Sequence, residues 1–363
     1  MVTHDTVEYA KPFSQALWFD LVPRTAACPE LPVQVLLHAG PPYRGAPPAP
    51  VNNAAIQALL FEGLAADASS ARDLLLQGEV QLRPAQDYGV VTPLAQVVSA
   101  SMLLVAVKQQ NQICYAPIVE GSAPALRFGS AAAQCLRRLR DVGALIDSSV
   151  APIVRGQPLA IDEVINIAVA AGDECHARTA AGNEALVSRL PGVNADGAAA
   201  VRAIPAFVLT VIMAAAAAAL RTSRCDINAI GGNGVDFGIR RRGDTAWRQM
   251  PAQAPCGSRF AGLEAVVPLA AIGDSAVIDF CGLGGQALSA APLLAAEWSG
   301  ALPVDALTRR QQLIDPDTGV VDPGRIVRGA VAPLINLAIL DRDGTAGLIG
   351  RGFYCPAVGL FAW

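Results

Sequence analysis

The stretch AIPAFVLTVIMAAAAAAL, residues 203–220, decides what kind of molecule this chain is. Its 18 residues carry no charge, which sits at the lower edge of a membrane span, where about 20 apolar residues are needed. Eight of the 18 are alanine, however, and a methyl group gains little on leaving water. Alanine is also the strongest helix former, and its small side chain lets neighbouring elements approach closely. Pro205 marks the start, because a proline within a helix removes a hydrogen bond and kinks the backbone. The stretch therefore reads as the buried central helix of a soluble fold, with no membrane partner.

The rest of the composition agrees with a deep interior. The chain of 363 residues is 53% hydrophobic and 16% charged, against roughly 25% charged in an average globular protein. So few charges leave little to solvate a surface, which points to a large core and to contacts with other subunits, as a homo-oligomer or in a larger complex. A net charge of −4 without a basic run argues against nucleic acid. The opening MVTHDTVEYAKPF has neither the basic region nor the apolar region of a secretory signal. The eight cysteines form no C-x-x-C pair, so reduced thiols in the cytoplasm are expected. His4, His38 and His176 are the only imidazoles, and that scarcity argues against a metal cofactor.

Working outward from the central helix, three zones follow. In the first, residues 1–130, PVQVLLHAGPP (32–42) reads as a strand entering a turn. NNAAIQALLFEGLA (52–65) and SSARDLLLQG (69–78) read as helices, the second with a serine cap and a glycine stop. SMLLVAVKQQNQICYAPI (101–118) reads as two strands around a polar turn. The second zone, 131–224, is helical, with 160–190 taken as a single helix. The third, 225–363, returns to short strands and glycine turns, including a strand bracketed by Asp274 and Asp279. The expectation is a multi-domain α+β or mixed α/β protein, with a helical region between two mixed zones.

Chemistry concentrates in AVAAGDECHARTAAGN (168–183), which puts Asp173, Glu174, Cys175, His176 and Arg178 within six positions. On one helix, Asp173 and His176 share a face at i and i+3, while Glu174 and Arg178 are i and i+4 on the next. One reading is a satisfied helix with a surface ion pair. The other is an acid/base pair, with a carboxylate orienting the imidazole and Arg178 holding an anion. NAIGGNGVDFGIR (228–240) places Asn233, Gly234, Asp236 and Arg240 among glycines, which serves an ordinary hairpin or a close backbone approach to a ligand. Gly282, Gly284 and Gly285 feed a helical stretch, the arrangement of an anion site. Cys281 beside them reads as a small core residue or, less often, a nucleophile.

In order along the chain, LWFDLVPRTAACPELPVQVLLHAGPP, ALLFEGLA, EGSAPALRFGS, GDECHAR, NGVDFGIR, IGDSAVIDFCGLGG and DPDTGVVDPGRIVRGAVAPLINLAI resemble the YlbE-like family. That family includes a subunit of oxamate carbamoyltransferase. Its members usually begin with a further Rossmann-like domain, and this chain is expected to start after it. Where they commonly carry a run of histidines, this chain has Gln86, Asp87 and Tyr88. The resemblance implies a carbamoyltransferase-like subunit that acts on a small N-carbamoyl or ureido compound such as oxalurate. Phosphate would be the co-substrate, carbamoyl phosphate the product, and neighbouring subunits the partners. On that reading Asp173, Glu174 and His176 are catalytic and Gly282, Gly284 and Gly285 hold phosphate. Arg178 or Arg240 clamps a carboxylate, while Asn233, Gly234, Asp236, Asp274 and Ser275 complete the pocket. A non-catalytic structural subunit and an amide or cyclic-ureide hydrolase are the alternatives. The enzymatic reading requires the histidine turn and the two glycine bends to meet around one cavity.

Overall fold

The helical middle of the chain ends, bends and restarts where its glycines and its proline dictate. In the computed structural model, which describes residues 9–363, α1 spans Ile161–Ala170, α2 Ala180–Ser188 and α3 Phe207–Thr222. The opening residues, with His4, lie outside the described part. The α3 helix is the polyalanine stretch, and every residue from Val211 to Leu220 is buried. It packs against two strands on one side and a short helix on another, a fit that six consecutive alanines make possible. The preceding helix, Ala195–Ala203, meets α3 at 80° across the Pro205 break. Asn183 of α2 ties that bend down, donating to the carbonyls of Val201 and Ile204 and accepting from the Val208 amide at 3.0 Å. Among the described residues no single helix is long and apolar enough to cross a membrane.

Thirteen strands surround these helices among the described residues. An antiparallel sheet orders β5 (Gln112–Pro117), β4 (Leu103–Gln109), β1 (Leu17–Pro23) and β6 (Leu159–Ala160). A parallel pair joins β2 (Val35–His38) to β3 (Gln81–Pro84). A second antiparallel sheet orders β11 (Ile272–Gly273), β7 (Ile227–Asn233), β8 (Asp236–Arg241) and β9 (Arg248–Pro251). A third orders β10 (Cys256–Arg259), β13 (Leu348–Tyr354) and β12 (Ile335–Leu340). The class is α+β, as expected. The larger hydrophobic core gathers side chains from β1, β4, β5, all three labelled helices, β7 and β12, so it draws on every zone of the sequence.

Three local expectations need correction. Residues 160–190 are two helices with a turn between them. Gly172, at φ +89°, closes α1 in a Schellman motif: its amide bonds to Val169 and the Asp173 amide to Ala168 at 3.0 Å. The segment between Asp274 and Asp279 is a short helix, α4 (Ala276–Phe280), rather than a strand. Apolar residues in a run this short fit either element, and the period could not separate them. The helix Ala68–Leu76 is capped by Asp67, with Ser70 returning the bond in a capping box, so the cap is aspartate and serine is its reciprocal partner.

Candidate functional site

With α1 closed at Ala170, residues 171–179 form a turn rather than a helical face, and each acidic side chain in it finds a backbone partner. Asp173 accepts from the Gly182 amide at 3.0 Å, capping the first turn of α2. Glu174 is fully buried. It accepts from the amides of Ala177 and Arg178, the latter at 2.9 Å, and from the Asn336 side chain at 2.9 Å. Its own carbonyl accepts from the Gly284 amide at 2.8 Å, which welds the turn to the second glycine bend. Burial raises the Glu174 pKa, and these donors pull against it. Cys175 takes φ +66°, a left-handed conformation that costs a non-glycine residue of order 1–3 kcal/mol. A turn that holds such a residue is over-determined by its surroundings.

The product of this turn is the placement of His176. Its Nδ1 lies 2.9 Å from Asp279 Oδ2, across 103 residues of sequence. Asp279 sits in the last turn of α4 with no exposed surface, and its other oxygen accepts from the amides of Gly285 at 2.7 Å and Asn336 at 3.0 Å. A side chain at Gly284 would overlap that carboxylate and crowd the histidine, so glycine is required there. The carboxylate fixes a proton on Nδ1, and Nε2 has no hydrogen-bond partner among the described residues. Burial acts to lower the imidazole pKa, but Asp279, by charge and hydrogen bond, and Glu174 outweigh it. The net rise above 6.5 favours the protonated ring, which the Asp279 carboxylate stabilises.

His176 lines a cavity of about 180 Å³, well below the roughly 300–1,000 Å³ of drug-sized pockets. Arg127, Thr179, Ser275, Asn336 and Arg351 supply the rest of its polar lining. Among the described residues no acidic side chain lines it. The volume suits a ligand of few heavy atoms, and the charge suits an anion. Leu94, at φ +50°, is a second strained residue on its wall.

Residues 80–275, more than half of the chain, match the family described as oxamate carbamoyltransferase subunit AllG. The chain belongs to this family. Its similarity to the oxamate carbamoyltransferase subunit AllG of Escherichia coli K12 is 29% identity over 92% of this chain and 89% of that protein. To the uncharacterized protein YahG of the same organism it is 30%, over 92% of this chain and 78% of YahG. A crystal structure of a conserved protein of unknown function from Enterococcus faecalis V583 superposes with a TM-score of 0.85. That match covers 98% of this chain and 94% of the other at 24% identity, a likeness of fold alone.

The AllG-matching span includes Arg127, His176 and Ser275 and stops just short of Asp279. Of the other residues singled out in the sequence, several lie elsewhere. Asp274 is fully buried and accepts from the amides of Gly40 at 2.8 Å and Thr92 at 2.9 Å and from Gln86 at 2.6 Å. Gln86 also exchanges two bonds with the backbone of Ile230. Together they lock the amino-terminal segment onto β7. Asn233 turns the β7–β8 hairpin, accepting from the amides of Val235 and Asp236, with Gly234 at φ +86° completing the turn. Asp236 accepts from Gln249 at 2.7 Å. Arg240 pairs with Asp87.

Neither Arg178 nor Arg240 lines the cavity. The amides of Gly282, Gly284 and Gly285 are taken by Asp279 O, Glu174 O and Asp279 Oδ1, so the bend is no open anion nest. The second glycine bend therefore meets the histidine turn, while the first serves the Asp274 lock. Cys281 is buried, its Sγ 3.3 Å from the Ala216 carbonyl, and burial pushes its thiol pKa well up. That is the setting of a core residue. Among the described residues no group of three or more His, Cys, Asp or Glu is placed to hold a metal. Sequence reasoning missed Asp279, Arg127, Asn336 and Arg351. The signal for the first three was a polar residue flanked by apolar ones, in VIDFC (277–281), ALRFG (125–129) and LINLA (334–338).

Proposed function

We propose that this chain is a subunit of a carbamoyltransferase-like enzyme that acts on a small anionic N-carbamoyl or ureido compound of the oxalurate kind. Phosphate is the acceptor and carbamoyl phosphate the product. The observation that carries this reading is the His176–Asp279 pair: among the described residues its second nitrogen has no protein partner, and the cavity it faces is lined by two arginines and no acid. Membership of the AllG family supports it, since one relative is named for such a subunit.

In the proposed reaction a phosphate oxygen bonds to the carbamoyl carbon and the carbon–nitrogen bond to the remainder of the substrate breaks. His176 Nε2 accepts the phosphate proton and returns it to the departing nitrogen, leaving oxamate when oxalurate is used. Charge that builds on the carbamoyl oxygen meets the positive lining and the side chains of Ser275 and Asn336. Asp279 holds the ring and stabilises its protonated form without giving up its own charge.

The test is phosphate-dependent cleavage of oxalurate by the purified chain, alone and with the proteins encoded beside it. The expected result is carbamoyl phosphate that is lost when phosphate is omitted. Turnover without phosphate recasts the chain as a hydrolase, and no turnover in any combination leaves a structural subunit.

A further inference from the structure

We propose that Arg127 is the specificity residue of this cavity, and that it selects ligands bearing a planar carboxylate by taking both carboxylate oxygens on its guanidinium fork. The assignment rests on the cavity being the substrate site. Neither Arg178 nor Arg240 lies there, so the anion-binding role expected of them falls to a residue outside the acidic-histidine turn.

Arg127 is 7% exposed and lines the cavity, yet its Nη1 is buried with no hydrogen-bond partner. Its charged neighbours are Glu120 and Arg138. Glu120 forms no ion pair with it: one carboxylate oxygen accepts from the Leu126 amide and the other is unpartnered. Buried guanidinium groups are normally paired, because leaving water uncompensated is costly. Here the fork is instead held in place by stacking, with Cζ 4.5 Å from the Phe128 ring centroid. A fork fixed in direction and lacking a protein acceptor matches a planar, two-oxygen anion supplied from outside. Arg351, exposed on the same cavity with its Cζ 6.0 Å from the Phe260 ring centroid, is the arginine that a hydrated second anion such as phosphate reaches first.

The experiment titrates the full chain with oxamate and with oxamide, its neutral isostere, by calorimetry. Oxamate is expected to bind at least tenfold more tightly than oxamide. Arg127→Gln is expected to weaken oxamate by about 10- to 100-fold, the worth of charge-assisted bonds, and to leave oxamide unchanged. Its melting temperature stays level or rises, because the fork has no protein acceptor to lose. Arg127→Lys, which keeps the charge and loses the fork, restores only part of the affinity, and it serves as the variant should Arg127→Gln not fold. Equal binding of the two compounds, no binding of oxamate, or full affinity in either variant overturns the assignment. The two readings fail separately. Oxamate binding that depends on Arg127 without oxalurate turnover sinks the transferase and keeps the anchor. Turnover undiminished in Arg127→Gln does the reverse.

Discussion

Asp274 precedes the short helix α4 and Asp279 lies in its last turn; both are fully buried, but one is enclosed by donors and the other shares its charge with an open neighbour. Asp274 collects two amides and a glutamine side chain, all from elements fixed in the fold. Asp279 collects two amides on one oxygen and gives the other to His176, whose far nitrogen is left unpartnered on a cavity. A closed network holds elements together. A network with one unfilled position has something left to bind.

The comparison is sharpest with asparagine at position 279. The amide side chain keeps an acceptor for Gly285 and Asn336 but no longer fixes the proton on His176 Nδ1. Turnover of oxalurate is expected to fall by about 10²–10⁴-fold with the fold retained, measured as kcat beside a melting curve. Asp274→Asn should leave turnover within about twofold, the scale of an uncoupled site far from the transition state. Equal losses in the two variants would erase the distinction drawn between them.

Removing the enclosed carboxylate tests the other half. Asp274→Ala strands the amides of Gly40 and Thr92 and the Gln86 side chain in the interior. With about 1–3 kcal/mol for each unsatisfied buried group and partial relaxation, a loss of roughly 3–5 kcal/mol in denaturant unfolding is expected. A loss below about 1 kcal/mol would show that the amino-terminal segment is held elsewhere.

A further effect, spread over several units, is in pH. Burial raises the Asp274 carboxyl from 3.8 to about 7, against the pull of its three donors. The native state therefore keeps a proton that the unfolded chain releases. Stability from this group is fully present below about pH 4 and declines as pH climbs through 7, at up to about 1.4 kcal/mol per pH unit. Raised likewise, His176 adds a decline above 6.5. Asp274→Asn should flatten the profile between pH 4 and 7, read from denaturation midpoints across that range.

How much of this was legible in the sequence follows from distance along the chain. The strand pair 101–118, the central helix and the hairpin at Asn233–Gly234 are local, and their periods and turn residues announce them. The crowding of acids around His176 was visible too, but its meaning was not. On a helix Asp173 would orient the ring; in the actual turn it caps α2, and the orienting carboxylate arrives from position 279. Asn336 reaches the cavity from β12 and Arg127 from the segment after β5, and a polar residue among apolar neighbours does not by itself say which hollow it enters. Glycine bends drew attention as phosphate cradles because their amides look free in one dimension. In three, Glu174 and Asp279 had already claimed them.

Phe128 and Leu348 each line two hollows, the 180 Å³ cavity beside His176 and a groove of about 810 Å³ bounded by residues 343–348. The chamber where chemistry is proposed thus shares two apolar wall residues with a larger hollow. Trimming Leu348 enlarges the small cavity and leaves its polar lining in place, whereas trimming Phe128 also removes the ring on which Arg127 is stacked.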